Sequence, residues 1–233
     1  MPAKNSIKIP VENGFYHIYN RGVNKQEIFN TPQDYSVFLN YLKEALSPIP
    51  KIQDLQKFEV EINGFTFIKP KRLPKNFYSE IDLIAYVLMP NHFHLIIKQN
   101  KRESMETFMR SLATRYSMYF NKSYDRVGSL FQSIYKAVLI ENENYLLHLS
   151  RYIHLNPKKN FTDLTKAYSS YADYLGMKKT PWLNPHPVLD FFSQPVSPEF
   201  KKINNYKDFV EKYNVNDQNH ENFLSDLVLE SED

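Results

Sequence analysis

His92 and His94 stand one residue apart in Tyr86-Val87-Leu88-Met89-Pro90-Asn91-His92-Phe93-His94-Leu95-Ile96-Ile97, an aliphatic, β-branched run broken only by a Pro-Asn turn signal. Strand periodicity points both imidazoles to one face, about 6 to 7 Å apart, within reach of one shared metal ion. The competing reading of any His-x-His pair is a polar stripe on a solvent-facing strand. Leu95, Ile96 and Ile97 argue against it here, because they describe a strand that is largely covered. The chain has no cysteine, so thiolate metal sites, disulfides and cysteine nucleophiles are excluded. His, Asp, Glu, Asn and Tyr must carry any chemistry. There are 17 tyrosines, and a tyrosine taken at random is far more often a packing residue than a nucleophile.

A second set of polar side chains recurs at helical spacing. Tyr145, His148, Tyr152 and Asn156 are three or four positions apart on a helix expected over about 143–155, with Leu146, Leu149 and Ile153 as its core residues. His148 would orient a phosphate or cap a pocket. His154 points away from Tyr152 and reads as a hydrogen-bonded structural residue. Pro157 ends the helix.

The elements needed to position these residues follow from periodicity. A first strand is expected at about 14–20, and a helix at about 32–46 with Tyr35, Phe38, Leu39, Leu42 and Leu46 inward and Thr31 or Asn30 as its cap. Strands follow at about 81–88 and along the histidine run, the short connection making them antiparallel neighbours. A long helix is expected at about 104–121 and a fourth strand at about 133–140. The order strand, helix, strand, strand, helix, strand describes an α+β fold, a ferredoxin-like split β-α-β unit with an antiparallel sheet. Between the first helix and second strand, 51–78 reads as an insertion. Its alternating run from Phe58 to Ile68 suggests a hairpin turning at Asn63-Gly64, and Lys69, Lys71, Arg72 and Lys75 make it either a nucleic-acid contact or a solvated loop. Ser169-Ser170-Tyr171, Tyr174 and Trp182 suggest a wrapping extension. Beyond it, helices are expected after Ser197-Pro198 and near 221–229, with Phe200, Ile203, Tyr206, Phe209 and Val210 forming an amphipathic element.

Composition places the chain among folded proteins: 42% hydrophobic, 24% charged, and rich in Tyr and Phe. The first twenty residues lack a signal-peptide pattern, and no stretch reaches the roughly 18 apolar residues of a membrane span, so a cytoplasmic protein with no membrane association is expected. The net charge of +3 is uneven, being +3 over 1–100, +6 over 101–183 and −6 over 184–233. A phosphate-bearing partner would lie against the middle portion, although a basic surface can also serve solubility alone.

Tyr16-His17-Ile18 with Asn20-Arg21-Gly22 and Ile28-Phe29, Met89 to Leu95, Arg115-Tyr116 with Phe120-Asn121, Gly128 to Gln132, Arg151 to Pro157, and Ser169-Ser170-Tyr171 form six ordered blocks. Together, over about 14–183, they resemble the REP-associated tyrosine transposases, members of the HUH-type single-strand (Y1) transposase superfamily. The resemblance implies a metal-dependent single-stranded DNA endonuclease and strand transferase that cleaves at or near hairpin, palindromic-repeat DNA. It implies His92 and His94 as metal ligands, Asn156 as the third, and Tyr152 as the nucleophile forming a 5′-phosphotyrosine, with Tyr116 the fallback nucleophile. Mg²⁺ or Mn²⁺ is the expected ion, Mn²⁺ tolerating imidazole better, with Zn²⁺ a further candidate occupant. Arg21, Arg110, Arg115, Arg126, Lys136 and Arg151 are the candidate DNA-binding residues; Arg151 could instead hold a carboxylate. Two departures stand out. Ser133-Ile134-Tyr135-Lys136 lacks an arginine usual in relatives, and the basic insertion is longer than expected.

The resulting organisation is an N-terminal arm (1–12), the transposase domain (13–157, with insertion 51–78), a family-specific extension (158–183) and a helical acidic tail (184–233). The expected state is monomer or homodimer. A catalytically silent ferredoxin-like nucleic-acid-binding protein and an ordinary metal hydrolase are the competing functions.

Overall fold

The computed structural model describes residues 10–51, 57–70, 73–193 and 205–212. Its main elements are β1 (Gly14–Arg21), α1 (Pro32–Leu46), β2 (Lys57–Ile62), β3 (Phe65–Pro70), β4 (Ile81–Met89), β5 (His92–Gln99), α2 (Ser104–Ser123), β6 (Lys136–Ile140), α3 (Glu143–Leu155), α4 (Tyr171–Tyr174), α5 (His186–Ser193) and α6 (Tyr206–Glu211). Four strands form an antiparallel sheet in the order β4-β5-β1-β6. The first strand is thus central and the last lies at its side, which is the ferredoxin-like arrangement expected from the element order.

The sheet is covered on both faces, and strand alternation decides which residue goes where. Tyr16 and Ile18 of β1 and Phe93, Leu95 and Ile97 of β5 join one core with Phe38 and Leu42 of α1 and Phe108, Leu112 and Tyr116 of α2. Ile96 of β5 and Val87 and Met89 of β4 face the other way, into a second core with Leu146, Leu149 and Ile153 of α3. His92 and His94 share the parity of Ile96, so they lie on the α3 side. A β-bulge in β4 shifts the register from Leu83↔Ile97 to Ala85↔Ile96, which places both Ile84 and Ala85 in the second core.

Local chemistry explains the ends of the elements. Thr31 is the N-cap of α1 with Pro32 at its first position. Asp34 Oδ2 accepts the N–H groups of Asn30 and Thr31, each at 2.9 Å, and the carboxylate also receives the hydroxyls of Tyr119 in α2 and of Tyr124, which caps the end of α2. One side chain therefore satisfies a helix start and ties two helices together. Asn142 caps α3 by accepting the Tyr145 N–H at 2.8 Å.

The insertion contains the hairpin expected from Asn63-Gly64. Both turn residues have positive φ, 54° and 80°, as a two-residue turn between twisted strands requires. Phe58 and Phe67 of this ribbon share one face and remain exposed. At the other end, Tyr206, Phe209 and Val210 of α6 are buried in the α3 core. α5 has no counterpart among the elements expected from sequence. The helices expected after Ser197-Pro198 and over 221–229 fall largely or wholly outside the described residues.

Candidate active site

The Pro90-Asn91 turn that delivers the histidines is fastened by its own carbonyls. Pro90 O accepts the N–H groups of Ile28 (2.7 Å) and Phe29 (2.9 Å), and Asn91 O accepts that of Gly22 (2.9 Å). A Cβ at Gly22 would collide with the Gln26 carbonyl oxygen and Ile28, so only glycine permits this approach. Gln132 N–H in turn donates to Arg21 O, and Val23 N–H to Leu130 O, each at 3.0 Å. The Asn-Arg-Gly, Ile-Phe and Leu-Phe-Gln segments, far apart in sequence, form one collar around the histidine turn.

The rings of His92 and His94 lie 5.1 Å apart at 86°. His92 Nδ1 donates to Asn91 Oδ1 at 2.6 Å, which leaves its lone pair on Nε2. His94 Nδ1 meets His17 Nε2 at 2.8 Å. Burial, then the neighbouring His17 and His92, push the His94 imidazole well below its ordinary range, and burial pushes His17 down to about 3. Both rings are therefore neutral at physiological pH, the state in which imidazole ligates a metal.

Tyr152 reaches this pair from α3. Its ring meets His94 edge-on, with centroids 5.7 Å apart at 86°, and the residue is half-buried. Asn156 sits one turn further on, donating its backbone N–H to Tyr152 O where α3 tightens into a 3-10 turn. Among the described residues no group of three or more His, Cys, Asp or Glu could hold a metal ion. Two neutral imidazoles on one strand are donors that suit a divalent ion, and Asn156, the third ligand that the motif resemblance implies, lies one helical turn beyond Tyr152.

Tyr19, Asn20, Arg21, His92, His94, Gln132 and Lys136 line one recess. Arg21 Nε donates to Gln132 Oε1 at 3.3 Å, and Lys136 Nζ lies 5.8 Å from the Tyr19 ring centre. Two cations and two imidazoles thus converge where an anion such as a phosphate can be received. Gln132 also lines a broad groove beside α2 together with Thr114, Ser117, Asn121, Ser133 and Ile134.

The other candidates lie elsewhere. Arg110 and Arg115 are on α2, across the sheet, paired with Glu106 and Glu44. Arg126 bonds Asn121 and Gln26. Arg151 is buried, its guanidinium 4.4 Å from the Phe209 ring centre and 2.8 Å from His148 Nδ1; both side chains belong to the packing of α6. Tyr116 is in the core across the sheet, its hydroxyl donating to Ile28 O at 2.5 Å, and burial raises it far above the ordinary tyrosine range. It lies on the opposite sheet face from the histidines. Sequence reasoning assigned no role to His17, Tyr19, Asn20 or Gln132. The alternation of His17, Tyr19 and Arg21 on β1 was the available signal, but only the β1–β5 register shows that this face meets His94.

A buried hydrogen-bond chain holds α3 in place. Ser150 Oγ donates to Leu147 O (2.7 Å), Tyr206 Oη donates to Ser150 Oγ (3.0 Å), and His154 Nδ1 lies 2.6 Å from Tyr206 Oη. The Tyr206 proton being committed, His154 Nδ1 is the donor there, and His154 Nε2 accepts from Ser170 Oγ at 2.7 Å. Ser170 Oγ also accepts the N–H of Tyr86 in β4 at 2.9 Å. The chain thus runs from α6 through α3 to β4, the strand beside the histidines.

The segment that carries β4, β5, α2, β6 and α3 is the part of the chain with a recognisable relative. Residues 75–156 match the family described as transposase IS200 like. No curated protein sequence matches it. Among solved structures it is similar to a REP-associated tyrosine transposase bound to a REP hairpin, at 12% identity over 76% of this chain and 95% of that one, with a TM-score of 0.48. It is also similar to a crystal structure described as a transposase from Deinococcus radiodurans R1, at 11% identity over 66% of this chain and 95% of that one, with a TM-score of 0.35.

Proposed function

We propose that this protein is a transposase, a divalent-metal-dependent endonuclease and strand transferase for single-stranded DNA, acting at or near hairpins of palindromic repeats through a 5′-phosphotyrosine on Tyr152. The observation that carries the reading is the edge-on meeting of Tyr152 with His94 at 5.7 Å, beside a recess holding Arg21 and Lys136. The motif blocks supply the hairpin preference.

A phenol, with an ordinary pKa near 10, is a weak nucleophile at neutral pH, so the site must supply positive charge and fix the phosphate. His92 and His94, through Nε2, with Asn156, would hold the ion. Bound there, Mg²⁺ or Mn²⁺ supplies the charge that offsets negative charge developing on the phosphate oxygens. Arg21 and Lys136, which line the same recess, would receive the phosphate. The Tyr152 oxygen, losing its proton, forms a bond to phosphorus as the bond to the 3′ oxygen breaks, and that oxygen leaves as a 3′ hydroxyl. One phosphodiester is exchanged for another, so the reverse attack rejoins strands without ATP. The groove past Gln132 gives the strand a route away from the recess.

We assign the transposase domain to 13–157, a family-specific extension to 158–183 and a helical acidic tail to 184–233. No described helix is long and apolar enough to cross a membrane. We place the protein in the cytoplasm, as a monomer or homodimer.

The test is incubation with radiolabelled hairpin-bearing single strands in Mg²⁺ or Mn²⁺, followed by denaturing gels. A covalent protein-DNA adduct is expected, absent in Tyr152→Phe and with chelator. An adduct unchanged in Tyr152→Phe would sink the assignment. Tight binding with no adduct in either metal selects a silent binding protein, and free 5′-phosphate without an adduct selects a hydrolase using activated water.

A further inference from the structure

We infer that His17 is a positioning residue that accepts the Nδ1 proton of His94 and so aims His94 Nε2 at the metal; this rests on the metal reading above. His17 lies on the central strand, paired with Ile96 on one side and Val138 on the other, and is fully buried. Tyr19 pairs directly with His94, so His17 is the diagonal neighbour of His94 on the same sheet face. The two imidazoles are 20° from parallel with centroids 5.1 Å apart. Their nitrogens are 2.8 Å apart, so the rings meet edge to edge through one hydrogen bond.

Proton bookkeeping gives that bond a consequence for coordination. A neutral imidazole carries one N–H, so one ring donates and the other accepts. If His17 donates, His94 must carry its own proton on Nε2 and has no lone pair there for a metal. If His94 donates from Nδ1, its Nε2 lone pair is exposed to coordination, as the Asn91 bond already arranges for His92. His17 then carries its proton on Nδ1, and that atom is buried without a hydrogen-bond partner among the described residues. His17 would thus keep its own proton on an unpartnered Nδ1 while serving as the acceptor for His94, the outer-shell role that fixes the tautomer and direction of a metal-bound imidazole.

The test uses the full-length protein without DNA. Mn²⁺ affinity is measured from the electron paramagnetic resonance signal of the free ion, for wild type, His17→Leu, His17→Gln and a His92→Ala/His94→Ala control, with circular dichroism and urea melts to verify folding. Leucine removes the acceptor, whereas the glutamine side-chain oxygen restores one. His17→Leu is expected to bind Mn²⁺ about 10- to 100-fold more weakly, and His17→Gln to recover most of that loss. Folded His17→Leu with wild-type affinity overturns the inference. Failure of wild type to bind Mn²⁺ above the double-alanine control overturns the metal reading itself and the positioning role with it. Should His17→Leu not fold, long-range ¹⁵N–¹H correlation of histidine-labelled wild type loaded with Zn²⁺ decides: a proton on His94 Nδ1 supports the role, and a His94 ligated through Nδ1 or protonated on Nε2 overturns it.

Discussion

Ser170→Ala removes one hydroxyl, and the structure says what that hydroxyl holds. Ser170 is fully buried, accepts the Tyr86 N–H at 2.9 Å, and donates to His154 Nε2 at 2.7 Å. Alanine leaves a backbone donor and an imidazole acceptor in the interior with nothing to bond. Each such buried polar group costs about 1 to 3 kcal/mol, and partial relaxation makes about 3 kcal/mol the expected total. Urea denaturation followed by circular dichroism at pH 7.5 measures it. Ser193→Ala is the control, because Ser193 Oγ bonds Asp190 O in an exposed position, where a loss within about 0.5 kcal/mol is expected. A double-mutant cycle with His154→Leu should show coupling of about 0.5 to 3 kcal/mol, since the two residues share one chain. A Ser170→Ala cost no larger than that of Ser193→Ala would refute the proton assignment and the bracing role of the chain.

Two further outcomes follow from the collar and the helix cap. Gly22→Ala should cost about 1 to 3 kcal/mol in urea melts, the range for overpacking, and should also lower adduct formation, because the added carbon pushes against Gln26 and Ile28 next to Arg21 and the Pro-Asn turn; full adduct yield in a folded Gly22→Ala would show that the collar does not position the recess. For Asp34, burial alone would raise the carboxyl, but hydrogen bonds from Tyr124 and Tyr119 and from the Thr31 and Asn30 amides outweigh it and hold the group below its ordinary value. The unfolded chain therefore binds this proton first, and the stability Asp34 contributes is complete above the ordinary carboxylate range and is lost as pH falls below about 4. Stability measured from pH 6 down to 3 should fall more gently in Asp34→Asn than in wild type; equal slopes would remove Asp34 as the cause.

The ferredoxin-like order was legible because each of its elements carries its own period. Tyr35, Phe38, Leu42 and Leu46 repeat at 3.6 residues and yield α1 with Pro32 at its start, and Asn63-Gly64 between two alternating runs yields the β2–β3 hairpin. His92 and His94 were legible for the same reason: a strand places residues i and i+2 on one face whatever its neighbours are. The spacing of Tyr152 and Asn156 likewise belongs to a single helix.

Contacts between elements were not legible, since sequence carries no register. That His17 rather than solvent meets His94 depends on Tyr19 pairing with His94 across β1 and β5, and a slip of one residue would turn His17 to the opposite face. The basic residues show the same limit. Arg21, Arg115 and Arg151 look alike in sequence, yet one lines the recess, one pairs with Glu44 across the sheet, and one lies buried over Phe209. Sequence alone determined which residues could do the chemistry and on which local face each stands; the sheet register and the packing of α3 decided which of them meet, because long-range neighbours are chosen by the burial of whole faces.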